Sequence, residues 1–171
     1  MRMTALVLLP PTDVAAELVE LSGEVAHVLP SQLVLGTGGV PHLTLVQCDA
    51  PASAVHRMAE RLIASWGPDD FVTAAGFALV PGGGETWLEV PVLRSSRLSA
   101  LHDASVKAVL SAGHAVLSGA GDSYRPHVTV GYVEGTVSAF PSVPEALVRG
   151  RTSGWALRAA ELGPHFSVPA L

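Results

Sequence analysis

Pro41-His42-Leu43-Thr44-Leu45 recurs later in the chain as Pro126-His127-Val128-Thr129-Val130. Each copy lies in an apolar stretch that reads as a β-strand. Successive side chains of a strand point to opposite faces, so residues two apart point the same way. His42 and Thr44 therefore share one face, with Leu43 and Leu45 behind them. His127 and Thr129 do the same, backed by Val128 and Val130. If the two strands lie together, two imidazoles and two hydroxyls converge on one cleft. Imidazole titrates near neutral pH, so such a pair can serve as general base and general acid, and the hydroxyls can hold the oxygens of an anion. A histidine buried only for packing would not require a hydroxyl residue two positions on, twice.

Composition narrows what the cleft accepts. The 171 residues are 49% apolar and 15% charged, which suits one globular domain with a substantial core. No apolar run has the length of a membrane span. The run Ala5 to Leu9 is cut off by Pro10-Pro11 and reads as a first strand rather than a signal-peptide core. Cys48 is the single cysteine, so no internal disulfide can form, and a reducing cytoplasm is the expected compartment. Counting by twos puts Cys48 on the face of His42, Thr44 and Val46, as a small buried or rim residue. The net charge is −5, Lys107 is the only lysine, and the arginines are scattered. Proteins that hold long nucleic acids usually gather a basic patch. A small phosphoester is therefore the expected partner, with no membrane, and the chain is expected to be a monomer.

Helices are expected over Thr12 to Leu29, with Thr12 and Asp13 as N-cap candidates, over about Pro51 to Trp66, and over about Ser95 to Ala112. Strands are expected at Leu33–Leu35, His42–Gln47, Phe71–Val80, Thr86–Val92, Ala115–Leu117, His127–Val133 and Trp155–Leu162. Pro81-Gly82-Gly83-Gly84 reads as a hairpin connection. The interleaving has no strict βαβ rhythm, which favours an α+β fold. The repeated motif suggests two similar lobes about a pseudo-twofold, with helices on the outer faces and the cleft between.

Other residues bear on the cleft. Arg125 lies two before His127 and in an unbroken strand shares its face, where its cation can hold a phosphate oxygen. Tyr132 has the opposite parity and reaches the cleft only if Gly131 introduces a bulge. Trp87 shares a strand face with Glu85 and Glu89 and can serve as a base-stacking platform. Gly36-Thr37-Gly38-Gly39 lacks the lysine and hydroxyl of a P-loop and reads as a plain connection. His27, His56, His102, His114 and His165 carry no motif and read as surface or boundary residues. Catalytic metal sites usually draw on three protein ligands, often with a carboxylate. Neither motif contains one, so neither a metal nor another cofactor is expected.

At these residues the chain resembles the 2H phosphoesterase superfamily, which is marked by two H-x-[ST]-x motifs and includes bacterial RNA 2′,5′-ligase-like proteins and 2′,3′-cyclic nucleotide phosphodiesterases. The resemblance runs from the first strand and Pro10-Pro11 through His42-Leu43-Thr44-Leu45. It continues through Trp87-Leu88-Glu89-Val90 and Leu98 to His102, and ends at Arg125-Pro126-His127-Val128-Thr129-Val130. It implies a bilobal antiparallel fold over residues 1–171 and metal-independent phosphodiester chemistry, with His127 as base and His42 as acid. Many RNA-ligase-like members carry an arginine shortly after the second motif; here the chain reads Gly131-Tyr132, which counts against ligation. A 2′,3′-cyclic phosphodiesterase is the expectation. A 2′,5′-phosphodiesterase, a ligase-like enzyme and a nucleotide-binding module without turnover stay open as alternatives.

Overall fold

β1 (Thr4–Leu9) is apolar on both faces because it runs through the interior of a sheet, between β3 (Leu43–Cys48) and β9 (Ala156–Glu161), antiparallel to each. The computed structural model describes residues 3–135, 137 and 149–169. The remaining strands of this sheet are β2 (Ser31–Leu33), β5 (Ala78–Gly82), β6 (Glu85–Pro91) and β7 (His127–Glu134). Its order is β5-β6-β7-β3-β1-β9, with β2 also pairing β7, and every pairing is antiparallel. The two expected lobes are halves of this one path, β9-β1-β3 and β2/β7-β6-β5, joined where β3 meets β7.

Three helices share the core behind the sheet. α1 (Thr12–Val28) buries Leu18, Leu21 and Val25, α2 (Ala52–Leu62) buries Val55 and Met58, and α3 (Ser96–Ser111) buries Leu98, Leu101 and Val109. Each such side chain removed from water is worth roughly 1.5–3 kcal/mol. One continuous cluster joins these residues to Leu43 and Leu45 of β3 and to Val128 and Val130 of β7. The helices therefore cover the face behind the motif strands, and the face that carries His42 and His127 stays free of them. No helix among the described residues is long and apolar enough to cross a membrane.

Several local expectations are corrected. The N-cap of α1 is Pro11, with no side-chain capping bond, so Thr12 and Asp13 lie inside the first turn. Ser95 does cap α3, accepting from the Leu98 N–H at 3.1 Å. The Phe71–Val80 stretch divides at Gly76 (φ 132) into β4 (Phe71–Ala75) and β5. β4 leaves the main sheet to pair with β8 (Arg149–Ser153), a strand that the sequence pattern does not announce. The strand expected at Leu33–Leu35 begins earlier, at Ser31, and Ala115–Leu117 is reduced to a bridge between Val116 and Cys48.

The largest departure is a pair of β-bulges. β1 pairs Val7 with Thr44 and Leu6 with Val46, leaving Leu45 over. β6 pairs Glu89 with Thr129 and Leu88 with Gly131, leaving Val130 over. Both bulges fall three residues after the motif histidine. An extra residue reverses the alternation beyond it. Cys48 and Val46 consequently lie in the core, fully buried, and do not share the face of His42 and Thr44; Gln47 takes that face.

Candidate active site

β3 and β7 share one register pair, Leu43 with Val128. In an antiparallel pair this sets His42 diagonally across from His127, each beside the other strand's threonine. His42, Thr44, His127 and Thr129 all line one cleft of about 350 Å³. A larger hollow, about 620 Å³, lies between β1, β9 and the starts of α1 and α2, but it contains neither motif and is lined mainly by residues such as Val7, Leu9 and Val55. Both motifs open into the smaller cleft.

The histidine rings are held alike. His42 Nδ1 donates to the Val40 carbonyl at 2.9 Å, and His127 Nδ1 donates to the Arg125 carbonyl at 2.8 Å. A carbonyl only accepts, so each Nδ1 carries its proton, and each Nε2 is the atom left for chemistry. Burial lowers the pKa of His42 below the ordinary imidazole value; the bond to Val40 opposes this, and the nearby His127 adds to it. Neither threonine hydroxyl has a hydrogen-bond partner among the described residues, so both are available to an oxygen in the cleft.

Arg125 does reach the cleft, but its guanidinium is engaged there. It makes two bonds to Glu89, Nη1 to Oε2 at 2.5 Å and Nη2 to Oε1 at 3.1 Å. Glu89 is only 2% exposed, and its Oε1 also lies 3.4 Å from His127 Nε2. Strand parity places Glu89 beside Trp87, yet its contact with His127 depends on the bulge at Val130, which brings Glu89 opposite Thr129.

Trp87 lines the cleft. Tyr132 does not: the bulge turns it to that side, but it is buried behind Trp87, ring centroids 4.6 Å apart. Phe166, with no motif to mark it, completes an aromatic corner, 6.1 Å from Trp87 and 41% exposed. Its φ of 56 is rarely adopted by a bulky residue, and this places its ring at the cleft. Gln47 and Ser118 also line the cleft, and the Ser118 hydroxyl accepts from the Gln47 N–H at 3.0 Å.

His102 is not a boundary residue. It is fully buried where α3 packs on β3, its Nδ1 donating at 2.7 Å to the carbonyl of the bulged Leu45. Its ring stacks on Tyr124 with centroids 3.7 Å apart and planes within 2°. The Tyr124 hydroxyl reaches the Thr44 carbonyl at 3.3 Å, and burial pushes its phenol well above the ordinary value. Beneath the motif of β3 lies a second layer that holds the bulge. Among the described residues no three His, Cys, Asp or Glu side chains gather closely enough to hold a metal ion.

A family model for the 2′-5′ RNA ligase superfamily matches residues 10–163, which include both motifs. The chain belongs to that superfamily. Solved structures share the fold of this superfamily member. They include the MHV ns2 PDE domain, with a TM-score of 0.57 at 14% identity, covering 95% of this chain and 100% of that one. They also include TT0787 of Thermus thermophilus, with a TM-score of 0.65 at 20% identity, covering 96% and 91%. No curated protein matches this superfamily member in sequence.

Proposed function

We propose that this protein hydrolyses a small nucleotide phosphodiester, a 2′,3′-cyclic phosphate or a comparable ester, by acid–base catalysis between His42 and His127. The observation that carries the reading is the matched presentation of two imidazole rings, each held at Nδ1 by a carbonyl at the same motif position, to one cleft with two threonine hydroxyls that have no partner among the described residues. The family match and the likeness to a PDE domain support it.

We assign the two roles the other way round from the resemblance, with His42 as base and His127 as acid. His42, whose burial favours the neutral ring, accepts a proton from water through Nε2. The water oxygen bonds to phosphorus as the bond from phosphorus to the ribose oxygen breaks. His127, with the Glu89 carboxylate beside it, supplies from Nε2 the proton that the departing oxygen takes up. Thr44 and Thr129 hold the non-bridging oxygens as their charge grows. Arg125 stands half-exposed at the rim, with N–H groups not used by Glu89 for a phosphate oxygen. Trp87, backed by Tyr132, offers a face to the base.

The test is turnover of a panel of 2′,3′-cyclic mononucleotides, 2′,5′-linked dinucleotides and ADP-ribose cyclic phosphate, in EDTA, with products resolved by isomer. Cyclic mononucleotides are expected to turn over, and His42→Ala or His127→Ala each to lower kcat by about 10² or more. Thr44→Ala and Thr129→Ala cost less. Turnover surviving the double histidine variant, or confined to 2′,5′ linkages, overturns the reading.

A further inference from the structure

We infer that Glu89 is a positioning residue for the reaction, the buried counter-ion that aims the His127 ring and balances charge on it against the opposing Arg125 cation. The inference rests on His127 being the proton donor.

A carboxylate at 2% exposure is costly to bury unless its charge is compensated. A strand position needs no such residue for packing, and the neighbouring inward positions of β6, Leu88 and Val90, are apolar. The compensation is specific. Arg125 binds both carboxylate oxygens, which fixes the plane of the group, and His127 Nε2 lies at 3.4 Å from Oε1. That last separation is beyond the usual range of an N–H···O hydrogen bond but close enough for a strong charge–charge interaction. The carboxylate can therefore balance an imidazolium without taking up the proton that His127 must deliver. Meanwhile the Arg125 carbonyl fixes the other nitrogen of the same ring. One residue, Arg125, thus holds His127 through its main chain and Glu89 through its side chain.

The titratable groups that line the cleft with His127 and Glu89 are His42, Tyr124 and Arg125. Two of these oppose a charge on His127: Arg125 is cationic, and His42 repels it when protonated. Glu89 is the only carboxylate among the described residues that line the cleft. Its removal and that of Arg125 must therefore act on the charge of His127 with opposite signs.

The experiment follows the His127 ring by NMR from pH 5 to 9 in the free wild-type protein and in Glu89→Gln, Glu89→Asp and Arg125→Gln, with thermal melts to establish folding. Glu89→Gln is expected to move the His127 titration down by about one pH unit. Arg125→Gln should move it up, and Glu89→Asp should restore most of the wild-type behaviour. With a substrate that turns over, Glu89→Gln should lower kcat about tenfold on the alkaline side while KM changes little, since one pH unit is a tenfold change in the charged fraction. A His127 titration unmoved in Glu89→Gln, or moved in the same direction in Glu89→Gln and Arg125→Gln, overturns the inference. If Glu89→Gln fails to fold, the sign of the Arg125→Gln shift decides. The NMR titration needs no substrate, so a wild-type protein that cleaves no phosphodiester removes the proposed reaction and still leaves the Glu89–His127 relationship decided by its own result.

Discussion

Leu43 and Val128 face each other in the single register pair that joins β3 to β7. Both are buried, and each is flanked by the histidine and threonine of its own motif. The contact that fuses the two halves of the sheet is therefore also the one that sets the distance between the two catalytic candidates.

Leu43→Ala should affect more than stability. Truncating a fully buried leucine costs about 2–5 kcal/mol. Here the cavity opens under His42, so kcat should fall further than the folded fraction explains. Val46→Ala, also fully buried on β3 but beyond the bulge, should lose stability with little change in kcat. Denaturant melts and kcat measured under fully folding conditions separate the two.

The lowered pKa of His42 has a sign that can be checked twice. The folded protein binds fewer protons than the unfolded chain between its folded value and the ordinary 6.5. The resulting stability is complete above pH 6.5 and is lost as the pH falls through the folded value. His42→Gln should flatten that part of the stability profile. For activity, a base that stays neutral to lower pH puts the acid limb of kcat/KM below pH 6.5. An acid limb at or above 6.5 would overturn the assignment of His42 as the base.

Gly131 is required by close approach. A Cβ there would lie 2.7 Å from Leu88 Cδ1 and 3.2 Å from Ser31 Oγ. Leu88 is fully buried, so its side chain would have to shift within packed neighbours. Gly131→Ala should cost about 1–3 kcal/mol and displace β6, with Trp87 and Glu89 on it. Gly82→Ala, where a Cβ meets nothing within 4 Å, should change stability by less than about 0.5 kcal/mol. Thermal or denaturant melts of the two variants are the measurement.

Extra phosphates beyond the reacting one should add little. The net charge is −5 with one lysine. Arg97 is committed to Asp70, Arg125 to Glu89, and Arg151 stacks over the Phe71 ring. Efficiency on a cyclic mononucleotide should match or exceed that on a long RNA with a cyclic end. The slope of log affinity against log salt should stay near about −0.7, one phosphate's worth on a single strand. A length series at several salt concentrations is the check; steep salt dependence with a preference for long RNA would require a basic groove.

The sequence by itself determined what is local: that His42 shares a face with Thr44 and His127 with Thr129, that the residues between them are core, and that three amphipathic helices cover the back. These follow from alternation along a strand and from the helical period, which need no knowledge of neighbours. Pairing decided the rest. The bulges at Leu45 and Val130 are differences in register between one strand and the next, so no count along a single strand could place Cys48 in the core or turn Tyr132. His102 reads as an isolated polar residue until α3 lies on β3 and the Leu45 carbonyl reaches it. Glu89 reads as one more strand carboxylate until Arg125, distant in the chain, arrives beside it. The faces of the site were settled by residue-to-residue geometry, whereas its charges were settled by contacts that exist only once the strands have paired.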